Sequence, residues 1–261
     1  AIRVNDLFNK SNLEDKLLSV IDYHNFLLRD YYKSEVVDFS LELESCLNFF
    51  DRIKLNIKDI SKELKDLQLR SSSILFEGAQ GAMLDIDFGT YPFVTSSNTT
   101  AGGASTGSGV GPSYFSYMLG ITKAYATRVG SGPFPTELND DTGKHLAKVG
   151  SEFGATTGRA RRCGWLDAVL LKRAIFANSI TGICLTKLDV LDELDEIKIC
   201  IAYELNGKKI DYLPAAADEQ LKVKPVYKTY KGWKSKTEGI KNFNDLPKNA
   251  KIYINDLEKF L

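Results

Sequence analysis

The sequence predicts an α/β fold with a largely parallel central sheet, preceded by a helical subregion and followed by a peripheral β-hairpin. Three observations carry this. Helical apolar spacing fills the first part of the chain, short apolar runs then alternate with helical stretches and Gly-rich loops, and the dipeptide Asn206-Gly207 sits between two apolar runs.

In order along the chain, Ser11-Asn12-Leu13-Glu14 reads as a capping box opening a helix with Leu13, Leu17, Ile21 and Leu28 on one face. A second helical stretch carries Leu43, Cys46, Leu47 and Phe50, then Ile57, Ile60 and Leu64. Ser73-Ile74-Leu75-Phe76 reads as a short buried strand entering the loop Glu77 to Gly81, and Gly, Thr and Ser dominate from there to Pro112. Phe115, Met118 and Leu119 predict a short helix, and the alternation from Ile121 to Thr127 a strand ending at Val129-Gly130. A polar helix is expected over Asp141 to Val149 and an apolar-faced one over Trp165 to Asn178. The strand Gly182 to Leu185 follows, and then the hairpin Ile197 to Ile210, turned by Asn206-Gly207. Helices alternating with buried strands imply the parallel sheet. The expected divisions are residues 1–70 (helical), 71–195 (ligand-binding core) and 196–261 (hairpin and C-terminal part).

Composition narrows the function. Over 261 residues, 34 basic side chains balance 34 acidic ones, so no global field favours nucleic acid or an anionic membrane surface. No apolar run approaches the length of a membrane span, and the opening AIRVNDLFNK lacks the apolar core of a signal peptide, so a cytoplasmic protein is expected. Cys46, Cys163, Cys184 and Cys200 are scattered, which fits reduced packing thiols better than a disulfide frame or zinc site. His24 continues an apolar stripe and reads as a core residue, and His145 lies in a polar helix; neither is assigned a role. The absence of an initiator Met and of a helix stop signal after Phe260 makes both ends look cut.

Candidate chemistry gathers between Phe76 and Asp189, because α/β folds bind ligands where strands end. Gln80, in a Gly-rich turn, offers an amide donor and acceptor to a purine edge or a phosphate. The stretch Thr95 to Pro112 supplies hydroxyls and open backbone N–H groups suited to phosphate, although it lacks the Lys-Ser/Thr of a Walker loop. Gly154 to Gly164 holds Arg159, Arg161 and Arg162 beside Thr156 and Thr157. With no acid adjacent in sequence, the cluster reads as an anion site, each bidentate bond contributing about 1.5–3 kcal/mol. Lys187-Leu188-Asp189 follows a strand; its Asp can accept from the guanine ring N–H and exocyclic amine, a donor pair adenine lacks. A strand-end salt bridge is the plainer reading of that tripeptide.

Taken together and in this order, Phe76 to Gly81, Leu84 to Asp87, Gly89 to Pro92, Val94 to Thr99, Gly132 to Glu137, Gly154 to Arg161 and Thr186 to Asp189 resemble the adenylosuccinate synthetases, and the resemblance runs the length of the chain. It implies a sheet of the P-loop-NTPase-like type and a C–N-bond-forming ligase. That ligase joins IMP to L-aspartate at the expense of GTP, with Mg²⁺, in a cytoplasmic homodimer. The resemblance assigns Gln80, Thr95 and Arg159 to IMP. Ala155, Thr156, Thr157, Gly158, Arg159, Ala160 and Arg161 go to aspartate, and Arg161, Lys187, Leu188 and Asp189 to GTP. It assigns no catalytic or metal-binding residue to this chain: the family's phosphate loop, catalytic Asp with its Mg²⁺ and catalytic His are expected before Ala1, and a second guanine contact after Leu261. The 261 residues alone are therefore expected to be inactive. Ala160 departs from the Arg frequent in relatives. The alternative is a non-catalytic nucleotide-binding or dimerisation module.

Overall fold

The computed structural model describes residues 1–154 and 158–261, and the chain divides into two compact units, Ala1–Ser72 and Ser73–Leu261. The first unit is helical, with α1 (Lys10–Phe26), α2 (Phe39–Ile53) and α3 (Ile60–Leu69). The cap of α1 is Asn9, whose side chain accepts from the Asn12 N–H at 3.1 Å, so the helix begins before the expected box at Ser11. Leu13, Leu17 and Ile21 are its buried stripe, as the spacing predicts, whereas His24 is exposed and meets the Tyr23 ring edge-on rather than joining the core. The second helical stretch breaks in two. Asp59 caps α3 by accepting from Lys62 N–H, and chain committed to an N-cap is extended, which ends continuity with α2. Asp6, also buried, accepts from Lys16 Nζ at 2.6 Å and from the Arg3 N–H at 2.8 Å, tying the first turn to α1.

The second unit comprises α4 (Ala101–Ser108), β1 (Leu119–Lys123), β2 (Ala126–Arg128), α5 (Asp141–Val149), β3 (Arg162–Gly164), β4 (Leu166–Asp167), α6 (Ala168–Asn178), β5 (Gly182–Thr186), β6 (Glu196–Leu205), β7 (Lys208–Ile210), α7 (Ala217–Gln220), β8 (Lys224–Lys231) and α8 (Lys248–Phe260). The expected α/β character and parallel pairing are present: β1 runs parallel to β5, with Lys123 opposite Thr186, and β4 runs parallel to β6. Antiparallel pairs accompany them, β2 with β3 and β6 with both β7 and β8.

Three local readings change. Ser73–Phe76 joins no ladder among the described residues; the Phe76 ring instead packs edge-on against Phe115 at 5.0 Å. Leu119 opens a strand rather than closing a helix, because β5 supplies a partner that local spacing does not reveal. The strand expected through Gly130 is cut at Ala124-Tyr125, both fully buried, and resumes as β2 on a different partner.

The hairpin is found as read, with Asn206 and Gly207 both at positive φ, 52° and 74°, the pair of left-handed residues a two-residue turn requires. Its outer arm, β7, lies at the sheet edge, whereas β6 is the middle strand, flanked by β4, β7 and β8. Ile197, Ile199, Cys200, Ala202 and Tyr203 are all buried, near-continuous burial that marks a strand covered on both faces. Tyr125, Trp165, Leu191, Ile197, Ile199 and Tyr253 form the principal core cluster, and Tyr253 Oη donates to the Ala124 carbonyl at 2.7 Å, locking α8 to the exit of β1. All four thiols are free. Cys163 and Cys200 are buried, burial pushing Cys163 up to about 11, while Cys184 is exposed and is no packing residue of this unit.

Candidate substrate-binding site

The first site element is the loop from Gly81 to Thr100, and its organiser is Asp85, fully buried. Asp85 Oδ1 accepts from the Asp87 and Phe88 N–H groups at 2.9 and 3.0 Å, and Oδ2 from those of Thr99 and Thr100 at 2.6 and 3.1 Å. Burial pushes its carboxyl up, but the four N–H donors outweigh it and hold it at about 2. One carboxylate thus draws both ends of the loop together. Thr95 is half-buried with its N–H on the Leu84 carbonyl at 2.8 Å, and Gln80 is exposed at positive φ, 63°, just outside the loop. Arg128 Nη2 bonds Thr90 Oγ1 and the Phe93 carbonyl, and Arg173 of α6 bonds the Phe88 carbonyl, which fastens the loop to β2 and α6.

The second element is the arginine loop. Phe153 bridges Ala160, Gly154 N–H donates to the Arg159 carbonyl at 2.8 Å, and Arg161 N–H to the Glu152 carbonyl at 2.9 Å; this short ladder brackets the loop tip. Ala155, Thr156 and Thr157, expected to face aspartate, lie outside the described residues. Gly158, Arg159 and Ala160 are exposed, and Arg161 is half-buried. The three arginines separate. Arg162 is spoken for, gripping Glu137 and the Gly130 and Gly132 carbonyls, while Arg161 Nη1 lies 3.3 Å from Glu152 Oε2. The reading that no acid serves the cluster is therefore corrected: Glu137, remote in sequence, and Glu152, two residues before Gly154, both reach the arginines in space.

Glu152 is the centre of the site and escaped sequence reasoning. Its carboxylate is fully buried and takes Lys123 Nζ at 2.6 Å, Tyr125 Oη at 2.5 Å and Lys187 Nζ at 3.0 Å besides Arg161. Burial raises a carboxyl pKa, but the bonds from Lys123, Tyr125 and Lys187 prevail and hold it at about 2. Burial in turn lowers Lys123, with Glu152 opposing, and pushes the Tyr125 phenol far up. Lys187, at positive φ directly after β5, also donates to the Gly150 carbonyl. A β-carbon on Gly150 would stand 2.2 Å from Tyr125 Oη, so only glycine fits beneath the cluster. The one available signal was an acid enclosed between Gly150 and Gly154, at the mouth of the arginine loop.

Asp189 is exposed, two residues past Lys187, and Leu188 is half-buried against the principal core. The structure thus joins Arg161 and Lys187 on one acid, while Thr95 belongs to the separately anchored loop and Gln80 precedes it. His145 Nε2 contacts the Val190 carbonyl at 3.1 Å, a structural tie consistent with leaving it unassigned. No group of three His, Cys, Asp or Glu among the described residues is arranged to hold a metal ion. No helix among them is long and apolar enough to cross a membrane.

Gly-rich loops and three cations around one carboxylate, at the carboxyl ends of a parallel strand pair, mark an α/β protein whose candidate site lies where α/β folds place their ligands. The family model for adenylosuccinate synthetase matches residues 1–261. The chain is 56% identical over 261 residues to the adenylosuccinate synthetase of Pseudomonas entomophila and 55% identical over 260 residues to that of Pseudomonas fluorescens, covering all of this chain and 60% of each relative. The fully ligated adenylosuccinate synthetase of Plasmodium falciparum superposes with a TM-score of 0.92 at 40% identity, over 100% of this chain and 61% of that one. The chain belongs to the adenylosuccinate synthetase family, and it spans about three-fifths of the length of these relatives.

Proposed function

We propose that this chain is the substrate-holding part of a ligase that joins IMP and L-aspartate, with GTP converted to GDP and phosphate. The observation that carries the reading is the gathering of Arg161 and Lys187 on Glu152 at the ends of β1 and β5, beside a loop bracketed by its own ladder. The family relationship supports it.

In this reading the GTP γ-phosphoryl passes to the 6-oxygen of IMP as the N1 proton departs. The aspartate amine then attacks C6, losing a proton, and that oxygen leaves with the phosphate. Binding geometry dominates such transfers. Gln80, Thr95 and Arg159 hold IMP, and the stretch Ala155 to Arg161 closes on the aspartate carboxylates. Arg161 bridges to GTP, and Lys187, Leu188 and Asp189 frame guanine, the Asp189 carboxylate accepting from the ring N–H and exocyclic amine. Mg²⁺ accompanies GTP and would shield phosphate charge; the described residues offer it no ligand triad. Residues 1–70 act as a helical subregion, 71–195 as the substrate core and 196–261 as its support. We place the working protein in the cytoplasm as a homodimer, in keeping with its four free thiols.

Omitting GTP, IMP or aspartate in turn from assays of the full chain, the full-length protein that contains these 261 residues, tests the reading, and each omission is expected to abolish adenylosuccinate formation. Asp189→Asn, which retains one acceptor and presents a donor to the guanine ring N–H, is expected to raise KM for GTP by roughly 100-fold or more, as for a lost paired hydrogen bond in a built site. Full-chain binding of nucleotide with no product would instead support a non-catalytic module.

A further inference from the structure

The Glu152 cluster holds three cations and one carboxylate, with a phenol as fourth partner. Lys123 ends β1, Lys187 follows β5, Arg161 leads into β3 and Glu152 follows α5, so three segments, one of them only nine residues on, converge on its two oxygens. Oε1 takes Tyr125 and Lys187; Oε2 takes Lys123 and Arg161. The Glu152 main chain also takes part, its carbonyl accepting from Arg161 N–H and its own N–H donating to the Ala147 carbonyl. Arg161 is therefore held twice by one residue, at its backbone and at its guanidinium, while its Nε is buried without a hydrogen-bond partner. Three positive charges against one negative leave a surplus of about two, and with Arg161 and Lys187 about a third exposed an added anion can reach the cations that draw it. A buried carboxylate taking four donors is costly to disturb, because each donor left behind loses its partner.

We propose that Glu152 is a positioning residue that sets Arg161 and Lys187 in one frame, so that the cation serving the phosphates and the lysine covering the base meet a guanine nucleotide at a fixed separation. The inference rests on the GTP reading of the site and adds a residue that makes no contact with the nucleotide. Glu152→Gln keeps the shape and one acceptor but removes the charge, freeing Arg161 and Lys187 to move apart. Glu152→Asp keeps the charge one methylene short.

The test is steady-state kinetics of the full chain with GTP and IMP varied separately. Glu152→Gln is expected to raise KM for GTP roughly 10- to 100-fold while KM for IMP moves less than about threefold, and Glu152→Asp to recover most of the loss. In a cycle with Lys187→Ala, the double variant is expected to be little worse for GTP than Lys187→Ala alone, because both changes undo one arrangement. Should Glu152→Gln fail to fold, Tyr125→Phe, which removes a single bond and leaves the carboxylate charged, carries the test with a GTP-specific rise of roughly two- to fivefold. Equal rises in both KM values, fully additive effects, or an unchanged KM for GTP overturn the positioning role. A wild-type full-length protein with no GTP-dependent turnover overturns the nucleotide reading and the inference with it, a result distinct from any of those.

Discussion

Asp85→Ala is expected to lower the stability of the second unit by about 3–5 kcal/mol and to raise KM for IMP by roughly 100-fold. Four N–H groups, of Asp87, Phe88, Thr99 and Thr100, now end on one buried carboxylate, and each would be left without its acceptor at about 1 kcal/mol or more. The loss falls on the loop that carries Thr95, whose backbone is set against Leu84 directly beside Asp85. A shift of about 1 Å in a positioning loop is enough for a hundredfold loss. Asp85→Asn keeps an acceptor for one pair of N–H groups and faces the other pair with a donor, so it is expected to lose about half as much. Urea melts and initial rates on the same samples check both numbers. Unchanged stability with raised KM would mean that Asp85 acts on the ligand rather than on the loop.

The second large effect is a two-sided dependence of stability on pH. Asp167 caps α6 through the Val169 and Leu170 N–H groups and accepts from Tyr203 Oη at 2.5 Å, yet burial prevails and pushes its carboxyl up to about 6 from an ordinary 3.8. Its folded pKa is raised, so the unfolded chain gives up this proton first. The folded state is therefore penalised as pH rises from about 4 to about 6, by about 2–3 kcal/mol at neutrality. Asp85 and Glu152 behave oppositely. Both are held at about 2, so they stabilise fully above about pH 4.5, and that stability is lost as pH falls toward 2. Thermal melts of the full chain are expected to show stability rising on acidification from pH 7 to about 5 and falling steeply below about 4. Asn caps a helix about as well as Asp, and Asp167→Asn is expected to flatten the upper limb while leaving the acid limb in place. An upper limb unchanged in that variant would assign it to another group.

Much of this was legible in the sequence, and the misses share one physical cause. What is local announces itself, as with the stripe Leu13 to Ile21 along α1 and Asn206-Gly207 at the hairpin. Strand identity was less legible, because Leu119 becomes a strand residue only when Gly182 lies beside it, 63 positions away. The buried status of β6 was hidden for the same reason, since Lys198 and Glu204 give it a surface look that β4 and β8 override. At the site, Arg161 and Lys187 stood out as unusual residues in unusual loops, but Glu152 sits in no motif. Its role arises from Lys123 and Tyr125, Arg161, and Lys187 arriving from three places, a convergence that no spacing encodes. Lys187 does form a strand-end salt bridge, but to Glu152 rather than to an acid of its own tripeptide.

The central claim, that these loops hold IMP for phosphorylation of its 6-oxygen before the aspartate amine attacks C6, has one direct test. IMP carrying oxygen-18 at the 6 position is supplied to the full chain with GTP, Mg²⁺ and aspartate, and the released phosphate is weighed by mass spectrometry. The expected result is one labelled oxygen in each phosphate formed with adenylosuccinate. Unlabelled phosphate, with the heavy oxygen released to water, would contradict the account.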